Sequence, residues 1–329
     1  MRIGIDCRKI ADFGIGTYIR GLLHALVEIG GEDYVAFGPR EIAGMLPAGL
    51  EHAIVNAPKY SIRELFAMGR TPSIDLFHAP HYVVPFVQAP FVVTIHDLIH
   101  LGHRNPLART YARAMIGRAV RRSRRVLTVS DAVRQDIARA FGHAEKIVVT
   151  PNGVDPIFTP AGARAEGRYF LFVGNDKPHK NVDRLIAAFD QLQEVQLILA
   201  GGAFDRFRHR PNIALAGFVS NAELAALYRG AIALVQPSID EGFGLPALEA
   251  MASGTPVITS NAPALIEVTG DAALHVDAKS IDAIADAMTR MMRDEKSRAA
   301  MIARGLAHAR DFTWRRCAEM TREIYRRIA

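Results

Sequence analysis

EGFGLPALEAMASGTPVITSN, residues 241–261, decides how the chain is read. It follows AIALVQPS, an apolar run that reads as a buried strand ending near Gln236. Gly242 and Gly244 permit unusual backbone angles and close approach to a ligand. Pro246 suits the first turn of a helix, and Gly254 suits its C-terminal cap. The stretch therefore predicts strand, glycine loop, helix and strand again. Glu241 falls in the loop and Glu249 about one turn into the helix. Both are then near the carboxyl ends of the strands, where open α/β sheets bind ligands.

The same grammar runs along the whole chain. RIGI, DLFH, FVVTI, RVLTV and KIVVT read as strands in the first half, and YFLFVG, VQLILA, IALAG, AIALV and TPVIT in the second. Helical patterns at 16–29, 106–123, 131–141, 181–193, 221–229 and 245–253 lie between many of them. Buried, non-alternating strands interleaved with helices predict parallel sheets covered on both faces. About ten strands in 329 residues predict two doubly wound domains rather than one. Residues 150–168, TPNGVDPIFTPAGARAEGR, are rich in proline and glycine and form the expected joint. The last segment, FTWRRCAEMTREIYRRIA, reads as an amphipathic helix.

Composition narrows the class. Half the residues are apolar, enough for two cores, yet no apolar run reaches the roughly 18 residues that span a bilayer. The opening MRIGIDCRKI reads as a first strand rather than a secretory leader. Cys7 and Cys317 have no metal-like spacing, which predicts free thiols and a cytoplasmic protein. The net charge is +6, and it is uneven. Between Asp97 and Asp131 there is no acid, but there are eight arginines, among them Arg118, Arg121, Arg122, Arg124 and Arg125. Such a patch suits an anionic partner, whether a membrane surface or nucleic acid, and equally an ordinary solvated helix face. On the helix at 106–123, Leu107, Ala108, Tyr111, Ala114, Met115, Ala119 and Val120 recur at helical spacing and are the expected core face.

Further stretches carry candidate chemistry. Main-chain N–H groups of residues 242–245 at a helix start suit an anion. Glu241 and Glu249 would repel that anion unless they accept hydrogen bonds from hydroxyls on the same ligand. A diphosphate with hydroxyl groups on both sides, a nucleotide sugar, meets both demands. An acidic helix start with no ligand is the plainer reading. FVGNDKPHKNVDRLI, residues 172–186, sets Lys180 just before a helix, where it could neutralise a diphosphate. Gly14 and Gly16 in ADFGIGTYIRGLL allow close backbone approach, although glycine loops between strand and helix are common. FVVTIHDLIH ends a strand on His96, a place where histidine is more often structural.

Together these stretches resemble glycosyltransferase family 4, retaining nucleotide-sugar transferases of the GT-B fold. Glu241 to Glu249 matches the family's E-x7-E signature, and VGNDKPHKN resembles its VG-x-x-x-P-R-K-N segment. FGIGTYIRGLL, VVTIHDL, VLTVSDAVRQDI, VVTPNGVDPIF and FTW match further stretches, so the resemblance covers almost the whole chain. It implies two Rossmann-like domains facing a deep cleft. Residues 1–155 would form the acceptor-side domain, residues 156–312 the donor domain, and the helix 313–329 would pack back on the first. It implies that Glu249 binds the ribose and Glu241 the transferred sugar. Gly242, Phe243, Gly244 and Leu245 would meet sugar and phosphate, Lys180 and the residue at 179 the diphosphate, and His96 the sugar. Gly14 and Gly16 would line the floor of the cleft. His179 stands where the family has arginine, which replaces a permanent forked charge by an imidazole.

The implied activity is transfer of a hexose, with GDP-mannose favoured as donor, to a saccharide or lipid-linked acceptor, with no metal and no other cofactor. Three other readings stay open. His179 fits a nucleotide-sugar-binding protein with weakened catalysis. The arginine-rich helix fits nucleic-acid binding, though without a base-reading motif. A UDP-sugar epimerase of similar architecture would leave the paired glutamates unexplained.

Overall fold

The computed structural model describes residues 1–57, 62–66, 68, 72–102 and 104–328. The chain divides into two compact units, Met1–Gly153 with Thr313–Ala329, and Val154–Phe312.

The first unit holds seven parallel strands: β1 (Arg2–Asp6), β2 (Asp33–Gly38), β3 (Glu51–Ile54), β4 (Leu76–Ala79), β5 (Phe91–Ile95), β6 (Arg125–Thr128) and β7 (Ile147–Val149). Their order, β3-β2-β1-β4-β5-β6-β7, reverses direction between β1 and β4. Helices α1 (Phe13–Ile29), α2 (Ile62–Leu65), α3 (Pro106–Arg122) and α4 (Asp131–Phe141) connect them. β1, β4 and β5 are buried almost throughout, as a parallel sheet covered on both faces requires.

The second unit repeats the plan with β8 (Tyr169–Asn175), β9 (Gln196–Gly202), β10 (Ile213–Gly217), β11 (Leu234–Gln236), β12 (Val257–Ser260) and β13 (Leu274–Val276). All pair in parallel, in the order β10-β9-β8-β11-β12-β13. Its helices are α5 (Val182–Phe189), α6 (Asn221–Gly230), α7 (Leu245–Ala252), α8 (Pro263–Thr269), α9 (Ile281–Arg293) and α10 (Glu295–Ala309). Phe170, Phe172, Leu185, Leu197, Leu199 and Met288 centre its core. The last helix, α11 (Trp314–Ile328), belongs to the first unit. There Trp314, Cys317, Ala318 and Tyr325 join the core built on α1 and β1.

Three strands were not predicted. β3, EHAI, is a polar edge strand, and β13, LHV, is only three residues long. β2, DYVAFG, pairs β1 along five residues and is buried after its first position, so its signal was present and was passed over. The expected core face of α3 holds at Ala119 and Val120 and needs correcting nearer its start. Leu107 is 81% exposed, and Tyr111 and Ala114 are exposed as well, whereas Ala112, Ile116, Gly117, Ala119 and Val120 are buried. Small residues let this face approach its sheet closely around Ile116 and Val120, and Leu107 and Tyr111 face outward.

Candidate active site

In the second unit the strand order reverses between β8 and β11, and both strands end where such folds bind ligands. The loops leaving them are tied together. The main-chain N–H of Ile239 donates to the His179 carbonyl at 2.7 Å, and Asn181 Nδ2 donates to the carbonyls of Pro237 and Ala278. Lys180 therefore comes to rest beside Glu241. Its Nζ donates to Glu241 Oε1 at 2.7 Å, and Gln236 Nε2 and Ser238 Oγ donate to the same oxygen at 2.9 and 2.7 Å. Burial alone would raise the Glu241 pKa. The ammonium and the three hydrogen bonds more than offset it, and the carboxyl lies below its ordinary value. The ammonium expected at a diphosphate is thus held by the carboxylate expected at the sugar. Gln236 and Ser238 were not predicted as site residues. Gln236 was recognised only as the end of a strand, because residue type alone does not show that its amide turns back to residue 241.

Glu249 behaves in the opposite way. It sits on α7, buried, and Tyr228 on α6 donates its hydroxyl to Oε2 at 2.9 Å. Burial pushes its pKa up to about 7, the tyrosine hydrogen bond opposes this, and the charge of Asp155 adds to it. Two glutamates eight positions apart thus have opposite electrostatics: one a paired carboxylate, the other an acid that ionises near neutrality. Tyr228 had no sequence signal, since it lies 21 residues away on another helix.

The glycine loop is built as its sequence suggests at one position above all. Gly244 caps α7 with φ of 98°, and a Cβ there would come within 2.5 Å of Leu265 Cδ2. Phe243, expected to meet the ligand through its backbone, has its ring buried edge-on against Phe312, with centroids 6.0 Å apart. Gly242 is buried and Leu245 is partly exposed at the start of α7.

In the first unit His96 follows β5 and is half-buried. Its Nε2 lies 2.9 Å from the Pro80 carbonyl, which can only accept, so Nε2 carries the proton and Nδ1 is the acceptor. Tyr18 packs edge-on against it at 4.7 Å. Burial lowers its pKa against the pull of Pro80 and Asp97, which keeps the ring neutral. Gly14 and Gly16 are not in a loop. Both lie in the first turn of α1, and a Cβ on Gly16 would strike the Ile10 carbonyl at 2.4 Å, while one on Gly14 would meet nothing within 4 Å. Gly16 thus has a packing role and Gly14 an open face. Among the arginines, Arg121, Arg122, Arg124 and Arg125 are exposed. Arg118 is not a free surface cation: it donates to the Val84 carbonyl at 2.6 Å and its guanidinium lies 4.3 Å from the centre of the Phe86 ring.

Two Rossmann-like parallel-sheet units, with paired glutamates on a glycine loop and helix at the carboxyl edge of one of them, define a glycosyltransferase of the GT-B fold. The chain belongs to glycosyltransferase family 4. The family model described as Glycosyltransferase Family 4 matches residues 14–158, and that described as Glycosyl transferases group 1 matches residues 155–308. The chain is 31% identical over 281 residues to the O-antigen chain mannosyltransferase B of Escherichia coli, covering 76% of this chain and 74% of that one. It is 34% identical over 233 residues to the O-antigen chain mannosyltransferase RfbU of Salmonella typhimurium, covering 64% and 65%. Anabaena Alr3699/HepE, solved in complex with UDP-glucose, superposes with a TM-score of 0.80 at 17% identity, covering 99% of each chain.

Proposed function

We propose that the protein is a retaining mannosyltransferase that uses GDP-mannose to extend a saccharide or lipid-linked glycan of the cell surface. The observation that carries this reading is the pair Glu241 and Glu249 at the carboxyl edge of the second sheet, one charged and one poised near neutrality. The similarity to two O-antigen chain mannosyltransferases favours mannose and a polysaccharide acceptor.

In this reading the ribose hydroxyls meet Glu249, and the sugar hydroxyls meet Glu241. A neutral His96 offers Nδ1 as a hydrogen-bond acceptor to a substrate hydroxyl, because its Nε2–H is donated to Pro80. Lys180, at the edge of the same site, turns part of its charge to the leaving diphosphate as negative charge builds there, with the α7 N-terminus beside it. Glu241 is bound on one oxygen by three donors, which makes it a poor nucleophile and argues against double displacement. Same-face substitution, with the leaving phosphate taking the acceptor's proton, fits better. No metal is required in this scheme. The protein works in the cytoplasm, peripheral to an anionic membrane that Arg121, Arg122, Arg124 and Arg125 attract.

The test is to incubate the protein with GDP-mannose, UDP-glucose and ADP-glucose and a panel of saccharide and lipid-linked saccharide acceptors, with and without chelator, and to follow nucleoside diphosphate release. Release from GDP-mannose above the others, insensitive to chelator, is expected. Release confined to another donor overturns the donor assignment, and none from any donor overturns catalysis.

A further inference from the structure

The outward face of α3 carries more than charge. Taking 100° per residue, Leu107, Tyr111, Ala114, Arg118 and Arg122 fall along one stripe, opposite the buried Ala112, Ile116 and Ala119. Leu107 is 81% exposed at one end of that stripe. At Arg118 the stripe continues onto an earlier segment of the same chain: the guanidinium lies 4.3 Å from the centre of the Phe86 ring, and Phe86 in turn packs on Phe66 with centroids 5.1 Å apart. Phe66 is 66% exposed and Phe86 44%. Leu107 thus lies on the stripe that reaches the exposed Phe66–Phe86 pair, and exposed apolar side chains grouped in this way mark an interaction surface. Around them lies the stretch from Leu98 to Ser130, without an acid, and the exposed Arg121, Arg122, Arg124 and Arg125.

Apolar and aromatic tips on a surface whose helix ends in exposed arginines match the boundary between lipid headgroups and acyl chains. A protein partner of matching charge would bring carboxylates but gives no reason for the exposed Leu107 and Phe66. We propose that this surface inserts into an anionic bilayer, with Leu107, Phe66 and Phe86 entering the headgroup region and the arginines holding lipid phosphates. This rests on the reading of the protein as peripheral to a membrane and adds that contact is insertion rather than charge attraction alone. The two differ in their response to salt, since screening weakens attraction between charges but leaves apolar burial.

The experiment is co-sedimentation of the full chain with vesicles of phosphatidylglycerol and phosphatidylcholine, compared with phosphatidylcholine alone, at low and high salt. A Leu107→Trp variant reports insertion by a blue shift of its added emission. Binding to anionic vesicles that partly survives high salt, a blue shift, and a loss of about tenfold in Leu107→Ser/Phe66→Ser are expected. Nucleoside diphosphate binding should not change in that variant, which shows that it is folded. Binding abolished by salt and unaffected by Leu107→Ser/Phe66→Ser overturns insertion while leaving peripheral attraction standing. No binding at low salt overturns both. Concentration-dependent self-association lost in the same variant, without vesicle binding, assigns the face to a second copy of the chain and also overturns the proposal.

Discussion

Tyr228 on α6 and Glu249 on α7 share a buried hydrogen bond of 2.9 Å, and the tyrosine is the donor. A carboxyl whose pKa rises from 4.5 to about 7 on folding binds its proton more tightly in the native state. Its contribution to stability is complete below the unfolded value and is lost as pH rises through the folded one. Stability should therefore fall between about pH 4.5 and just above 7, by up to about 1.4 kcal/mol per pH unit from this group. Glu249→Gln keeps an acceptor for Tyr228 and removes the titration. Thermal melts from pH 5 to 8 should show a smaller fall in the variant, with wild type the less stable of the two at pH 8. Parallel profiles would count against a perturbed Glu249.

Nucleotide binding should follow the same proton with the opposite slope. A ribose hydroxyl donates more strongly to a carboxylate than to a carboxylic acid. Calorimetric affinity for a nucleoside diphosphate should rise with pH through about 7 in wild type and stay level in Glu249→Gln, which should bind roughly tenfold to a hundredfold more weakly at pH 8. A level wild-type profile would remove Glu249 from the ribose.

Lys180 and Glu241 are mostly buried, with side chains 16% and 9% exposed. Lys180→Met should strand a buried carboxylate and cost about 3–5 kcal/mol in urea unfolding, whereas Lys180→Met/Glu241→Leu should recover most of that. Neither variant should turn over donor. Glu241→Gln alone should lower turnover strongly and cost less stability than Lys180→Met, since its amide oxygen can still accept from Lys180, Gln236 and Ser238. Full stability in Lys180→Met would show that the pair is not a buried one.

The main-chain carbonyl of His179 accepts from the Ile239 N–H, which ties the loop independently of the residue type at 179. His179→Arg would present a permanent, forked charge. Nucleoside diphosphate affinity should tighten about tenfold. An unchanged or weaker titration would mean that residue 179 does not reach the phosphates.

Gly244→Ala should lose about 1–3 kcal/mol or more, because φ of 98° strains any side chain and Leu265 must also move. Gly14→Ala is its contrast. Nothing stands within 4 Å of a Cβ there, and helix propensity favours alanine by up to about 1 kcal/mol. A fall in turnover without a fall in melting temperature would place Gly14 at the substrate. If Gly244→Ala melts with wild type, the loop conformation described above is wrong.

The fold class was readable because buried parallel strands must be apolar on both faces, and VQLILA or FVVTI has no other common use. Glu241, Glu249 and the glycine loop could be placed on one strand-loop-helix turn, and Lys180 on another, because each spacing is local. What reads less well is anything set by partners distant in sequence. Whether Glu249 is a carboxylate or an acid depends on Tyr228 and on burial under α6, and neither enters its own motif. The state of Glu241 depends on Lys180, 61 residues earlier, meeting it across the reversal between β8 and β11. The helix α3 carries the same lesson. Its periodicity predicts one apolar face, but which side meets the sheet was decided by close packing of Ala112, Gly117 and Ala119. Leu107 was left facing outward, because local sequence holds the period of a helix while tertiary contact alone chooses its rotation.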